Sequence, residues 1–352
     1  MAACGGGGPG TPTPVAPVYS LALVVFYDEN GNGQLDAGEN GRVPGVTVAL
    51  GARTAKTAVL TGQATLNGVL GGSQFLTLRP ETLPPFYIAP AALQLEVPQS
   101  GEIAVPVTLP IGANTPNRYM AFGDSITLGD GSSDERGYEP LLEDRLRMHF
   151  GVGEVVNLGI DGTRTDQGAV RLSTTLPRQH PAFLLLHYGT NDWNKCDDVP
   201  SCFTADSIRD MILQAKAANA LPVLATIIPV NVGYDARTPP SRNEFVAEQD
   251  VQIRAIAAQE GALLVDLEKA FYKAGGNDLS QLFFDHVHPN DRGYQVMAEE
   301  FFKALSTPSA SMSAPAAFGS ALPAWVARPA APRLFPDRPD RQRPGAPRQR
   351  EP

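Results

Sequence analysis

Apolar positions recur every second residue in short runs through the first third of the chain. Val46, Val48 and Leu50 alternate with Thr47 and Ala49, and further runs at 64–66, 75–78, 93–97 and 103–109 are punctuated by Gly, Pro and Asn. A period of two with turn residues between the runs predicts short half-buried strands, and a series of them predicts a small β-sandwich. From Arg118 the pattern changes. Strands are expected at 119–122, 154–157, 182–188, 222–228 and 262–265, most of them apolar throughout. Between them apolar residues recur at three and four: Tyr138, Leu141, Leu142 and Leu146; Ile208, Met211, Ile212 and Ala215; Tyr294, Met297, Ala298, Phe301 and Leu305. Those spacings predict one-sided helices. Continuous apolar strands alternating with helices predict an α/β domain whose five-stranded parallel sheet is covered on both faces. Ligands bind such sheets beyond the carboxyl ends of the strands.

The expected organisation is a Gly/Pro-rich tether at 1–17, a β-sandwich module at 18–112, a linker at 113–117, the α/β domain at 118–305 and a disordered Pro/Ala/Arg-rich tail at 306–352. From Thr307 the tail carries ten prolines and seven arginines against three acids, too little apolar surface to fold alone. A basic surface-binding tail is the alternative. Over 352 residues, 28 Lys and Arg against 37 Asp and Glu give −9, which argues against nucleic acid as a partner. The apolar run at 19–27 is far short of the roughly 20 residues that a membrane-spanning helix needs.

Candidate chemistry gathers where strands of the α/β domain end. Ser125 follows the first, in Phe122-Gly-Asp-Ser-Ile-Thr-Leu-Gly129. Asp285 and His288 stand three apart in Phe284-Asp-His-Val-His-Pro289, so one turn can join carboxylate and imidazole. An acyl-transfer triad needs an acid that holds the tautomer of a histidine whose other nitrogen faces the nucleophile. Asn157 to Gly162 follows the second strand and Gly189-Thr-Asn-Asp192 the third, offering the Gly162 N–H and the Asn191 amide as oxyanion donors. Each feature alone is common turn or packing chemistry; their combination in this order is not.

These four blocks resemble the SGNH hydrolase superfamily, the GDSL-type esterases and lipases. The resemblance implies a flavodoxin-like three-layer α/β/α sandwich with Ser125 as nucleophile, His288 as general base and then acid, and Asp285 orienting His288. It places the oxyanion hole at the N–H groups of Ser125 and Gly162 and the Asn191 amide, and it needs no catalytic cofactor. The expected activity is hydrolysis of short-chain acyl or acetyl esters, including esters on an acylated polysaccharide. A lipase or thioesterase of the same superfamily, or an adhesion protein with an inactive hydrolase domain, are the rival readings. The Gly-x-Ser-x-Gly elbow of α/β-hydrolases is missing around Ser125. Trp193 and Tyr234 are candidate substrate contacts, with packing the alternative for Trp193.

The β module carries Asp28, Asn30, Asn32, Gln34, Asp36 and Glu39 at positions 1, 3, 5, 7, 9 and 12 of a calcium-loop pattern, with Gly33 at position 6. Its flanks read as strands rather than the helices of an EF-hand, and the segment resembles calcium-binding B-type repeat domains of bacterial surface adhesins. A structural Ca²⁺ is expected; the alternative is an Asn/Gly-rich turn. Cys196 and Cys202 would form a small-loop disulfide in an oxidising compartment or stand as two free thiols. Cys4, in Met-Ala-Ala-Cys-Gly, resembles a bacterial lipoprotein processing site, which implies lipidation, an extracytoplasmic location and membrane contact through that anchor alone; an incidental cysteine is the alternative.

Overall fold

The two-residue alternation becomes a pair of small sheets in the computed structural model, which describes residues 16–193 and 203–308. Strands β1 (Val18–Tyr27), β2 (Thr47–Leu50), β3 (Arg53–Lys56), β4 (Gln63–Leu70), β5 (Gly72–Leu78), β6 (Leu93–Val97) and β7 (Ile103–Val107) form them. One sheet has the order β4-β1-β7 and the other β3-β2-β5-β6. Their inward residues, among them Leu23, Val25, Val48, Leu66, Leu76 and Val105, are buried. β3 was not expected. Its sequence, Arg-Thr-Ala-Lys, lies at a sheet edge and buries no side chain, so it carries no apolar signature.

Next come β8 (Thr115–Gly123), α1 (Ser125–Leu128), α2 (Glu139–Phe150), β9 (Glu154–Gly159), α3 (Thr165–Gln179), β10 (Pro181–His187), α4 (Thr204–Ala217), β11 (Leu221–Ala225), α5 (Pro240–Glu260), β12 (Leu263–Val265), α6 (Leu267–Gly275) and α7 (Asp291–Ser306). The stretch 113–117 holds the start of β8 rather than linker alone, because Thr115 pairs with Pro181 of β10 and donates its N–H to the His180 carbonyl. The five strands are all parallel, in the order β12-β11-β10-β8-β9. Counted within the domain this is the flavodoxin order, with its switch point between β8 and β10. Buried residues of α3, α4 and α5 cover one face, while those of α2, α6 and α7 cover the other. The expected stripes of α2, α4 and α7 all point inward. Among the described residues no helix is long and apolar enough to cross a membrane.

The β module packs against the domain at the amino ends of its strands. The Arg42 and Leu60 N–H groups donate to the carbonyls of Phe150 and His149 at the end of α2, and the Asn117 amide donates to Glu29 at 2.6 Å. Tyr87 meets both Tyr27 and Phe150, while Phe86 meets Phe183 at the start of β10. One continuous apolar core therefore runs from Leu21 of the module to Leu305 of α7.

Candidate active site

Gly123 ends β8 and the chain turns at once into α1, a single helical turn beginning at Ser125. Asp124 caps it by accepting the Ile126 N–H at 3.0 Å. Two glycines allow the approach. A Cβ on Gly123 would lie 2.5 Å from the His187 carbonyl oxygen, and one on Gly159 would lie 2.2 Å from the Leu128 nitrogen. Asn157 of β9 clamps the same turn: its amide donates to the Thr127 carbonyl at 2.6 Å and its Oδ1 accepts the Gly159 N–H at 2.9 Å. Arg171 of α3 donates to the carbonyls of Gly123 and Leu158 and stands over the Phe122 ring. Ser125 is thus held by three neighbouring elements.

Asp285 and His288 lie on a loop closed by a bridge from Phe283 to Pro289, after which Asn290 caps α7. Asp285 Oδ1 accepts the N–H groups of Val287 at 2.9 Å and His288 at 2.8 Å, and Oδ2 lies 2.9 Å from His288 Nδ1. His288 Nε2 lies 2.9 Å from Ser125 Oγ. Burial alone would raise the Asp285 carboxyl, but the His288 N–H, the imidazole and the Val287 N–H outweigh it and hold the group at about 2. An ionised Asp285 can only accept, so Nδ1 carries the proton and Nε2 faces the serine hydroxyl. His286 is not part of this row. Its Nδ1 stands 3.5 Å from Asp285 Oδ2 without a hydrogen bond.

Asn191 sits on a short turn (Thr190–Asp192) after β10, its amide donating to the Thr163 carbonyl at 3.2 Å and reaching Asp124 Oδ2 at 3.4 Å. Gly162 follows β9 with φ at 65°. Among the described residues, neither the Ser125 nor the Gly162 N–H has a protein acceptor, so both donors are available to a ligand. Asp192 is buried and ties the starts of α3 and α4 together, accepting from Thr165 and Thr204. Burial pushes the Asp124 carboxyl up to about 7.

Trp193 is half-buried and packs on Phe245, whereas Tyr234 is exposed on a turn whose Asn231 bonds the His286 and Asp285 carbonyls. Two neighbours had no signal in the sequence. Asp130 Oδ2 lies 4.0 Å from His288 Nε2, brought back by glycines 129 and 131 in the left-handed region. Arg242 of α5 is buried and donates to the Thr190 carbonyl at 3.0 Å, bracing the Asn191 turn; desolvation lowers its guanidinium to about 10. Cys4, Cys196 and Cys202 lie outside the described residues.

The donor set of the 28–39 loop is oxygen throughout, which suits a hard cation. In the structure these donors bond within the loop. Asp28 accepts the N–H groups of Gly31 and Gly33, Glu39 those of Glu29 and Asp36, and the amides of Asn30 and Asn32 both donate to Asp36. Among the described residues no group of three or more His, Cys, Asp or Glu is placed to hold a metal ion.

A hydrogen-bonded serine, histidine and aspartate at the carboxyl edge of a flavodoxin-order sheet is the architecture of a serine-type hydrolase. The chain belongs to the GDSL-like Lipase/Acylhydrolase family, whose model matches residues 121–296. It is similar to the thioesterase 1/protease 1/lysophospholipase L1 of Escherichia coli strain K12, 30% identical over 128 residues, covering 36% of this chain and 59% of the relative. To the arylesterase of Vibrio mimicus it is 29% identical over 117 residues, covering 33% and 58%. The chain thus spans a little under three fifths of the length of these curated relatives. Among solved structures it is similar to Axe2, an acetylxylan esterase from Geobacillus stearothermophilus, at 21% identity and a TM-score of 0.47 over 55% of this chain and 95% of that one.

Proposed function

We propose that the protein is a serine carboxylic-ester hydrolase acting through an acyl-enzyme on short-chain acyl esters, with acetyl groups of an environmental polysaccharide as its substrate class. The unbroken row from Ser125 Oγ to His288 to Asp285, at 2.9 and 2.9 Å, carries this reading. His288 Nε2 takes the hydroxyl proton as Oγ attacks the ester carbonyl, while Asp285 stabilises the imidazolium. The oxyanion is held by the N–H groups of Ser125 and Gly162 and by the Asn191 amide turned from Thr163. The imidazolium then protonates the leaving alcohol, and a water activated by the same nitrogen hydrolyses the acyl-enzyme. The extracytoplasmic location, lipidation of Cys4, the disulfide Cys196–Cys202 and a stiffening Ca²⁺ at residues 28–39 belong to the same reading of a surface enzyme.

The test is hydrolysis of p-nitrophenyl esters from acetate to palmitate by wild type and Ser125→Ala. Wild type should turn over best on short acyl chains, and Ser125→Ala should lose roughly 10⁴- to 10⁶-fold in kcat. Asn191→Ala should lose roughly 10²- to 10³-fold, the cost of one oxyanion donor. A long-chain or thioester optimum would favour the lipase or thioesterase reading. Equal rates for wild type and Ser125→Ala would remove the mechanism, and silence from both leaves two readings, a demanding polymeric substrate or the binding protein.

A further inference from the structure

The position of His288 also says where the two halves of an ester lie, provided the Ser125 reading holds. When the tetrahedral intermediate collapses, the bond from carbon to the alcohol oxygen breaks, its electron pair stays on that oxygen, and the proton on His288 Nε2 moves to it. The alcohol oxygen must therefore sit beside Nε2, and whatever it carries leads away on the side of His288. That side is bordered by Asp130, whose Oδ2 stands 4.0 Å from Nε2. Beyond it opens a cavity of about 740 Å³, lined by Leu128, Asp130, Glu135, Phe284 and Asp291 among others. Its size falls in the range of small-molecule sites, roughly 300–1,000 Å³.

The cavity walls are fixed to the catalytic loop. A Cβ on Gly131 would lie 2.6 Å from the Pro289 carbonyl oxygen and 3.1 Å from His288 Cβ, so the 128–135 loop lies directly on the histidine segment. The Ser133 N–H donates to Asp291 Oδ1 at 2.7 Å, and the Tyr294 hydroxyl donates to the Asp130 carbonyl at 2.7 Å. Its lining includes three carboxylates and no Lys or Arg. The Ser133 N–H holds the Asp291 carboxyl below its ordinary range, whereas burial raises that of Asp130. Against the acids stands Phe284, whose ring is 67% exposed at the cavity wall.

We propose that this cavity is the alcohol subsite and that it selects a neutral polyhydroxyl alcohol, a glycosyl unit, over a phosphate-bearing one. Sugar hydroxyls donate to Asp130, Glu135 and Asp291, and the C–H face of the ring lies on Phe284. An alcohol carrying phosphate meets three carboxyl groups with no Lys or Arg in the lining to pair it.

The experiment compares three acetates that share one acyl group: ethyl acetate, monoacetylated cellobiose and 1-acetylglycerol 3-phosphate. In wild type, kcat/KM should be at least tenfold higher on the disaccharide than on ethyl acetate, and lowest on the phosphate. Phe284→Ala, a truncation at the surface, should cut the disaccharide-to-ethyl ratio at least fivefold. Glu135→Gln with Asp291→Asn, which keeps an acceptor for Ser133, should raise the phosphate-to-ethyl ratio by a similar factor and lower the disaccharide ratio. Ratios left unmoved by both variants, or a wild-type preference for the phosphate, overturn the subsite. If ethyl acetate is still turned over and Ser125→Ala still abolishes that turnover, the hydrolase stands and only the subsite falls. No turnover of any of the three by wild type removes both.

Discussion

At the scale of single residues, the site depends on close approach as much as on the chemical groups. Gly159 brings β9 within contact of α1, and its substitution has no soft neighbour to displace, since the nearest atoms belong to the Leu128 and Thr127 backbone. Gly159→Ala should therefore shift α1, lengthen the bond from His288 to Ser125 and reduce kcat at least tenfold with a smaller change in KM. Kinetics equal to wild type would show that the backbone yields without moving Ser125. The meeting of Ser125, His288 and Asp285 was legible because each sits in a short run whose neighbours form the turn that presents it. Asp130 and Arg242 were not, since both reach the site only through the folding of a loop and of a helix start.

The residues of an element act together, and α5 shows how an element can hide its pattern. Its inner face buries Arg242, Gln249 and Asp250 beside Phe245, Val246 and Ile253, which dilutes the apolar stripe that made α4 and α7 readable. Asp250 also explains why β11 ends sooner than its apolar run: the Ile227 N–H leaves the sheet and donates to Asp250 Oδ1 at 2.8 Å. Burial pushes this carboxyl up to about 9, against roughly 3.9 in an unfolded chain. Between those values the folded protein keeps a proton that the unfolded chain releases, so stability falls as pH rises, by at most about 1.4 kcal/mol per unit from this group. Asp250→Asn keeps the acceptor and cannot ionise. Its Tm relative to wild type should rise steadily from pH 5 to pH 8, and a constant difference across that range would show that Asp250 does not titrate in the fold. The 28–39 loop makes the complementary case of an element read from motif alone. If calcium stiffens it, Ca²⁺ should raise Tm by several degrees over an EGTA-treated sample, and Asp28→Ala with Glu39→Ala should erase the difference. Identical melts would leave the loop as a hydrogen-bonded turn.

For the whole molecule, the open question is what the β module does for catalysis, and its placement narrows the answer. The change of periodicity near Arg118 showed two units in the sequence, but not that Tyr27, Tyr87, Phe150 and Phe183 would meet between them. Contacts between units leave no mark in the period of either one. The module touches the amino ends of β8 and β10, while Ser125 follows the carboxyl end of β8. Asn117 and Ser125 thus flank the regular stretch of β8 from Arg118 to Gly123, which alone spans roughly 17 Å at about 3.3 Å per residue. At that distance the module cannot line the acyl or alcohol pocket of the same molecule. Its continuous core with the domain instead makes it part of the support beneath the sheet. Removing residues 18–114 would expose Phe150, Phe183 and Tyr119, which are at most 4% exposed in the whole chain. Uncovering several large aromatic side chains costs on the order of 1.5–3 kcal/mol each, enough to consume much of the stability of a domain of this size. The truncated protein should therefore melt at least 10 °C lower or aggregate, with reduced turnover of p-nitrophenyl acetate that tracks the folded fraction. A truncation with unchanged Tm and unchanged turnover would show instead that the domain stands alone. The module would then be a separable unit whose role lies in what it binds.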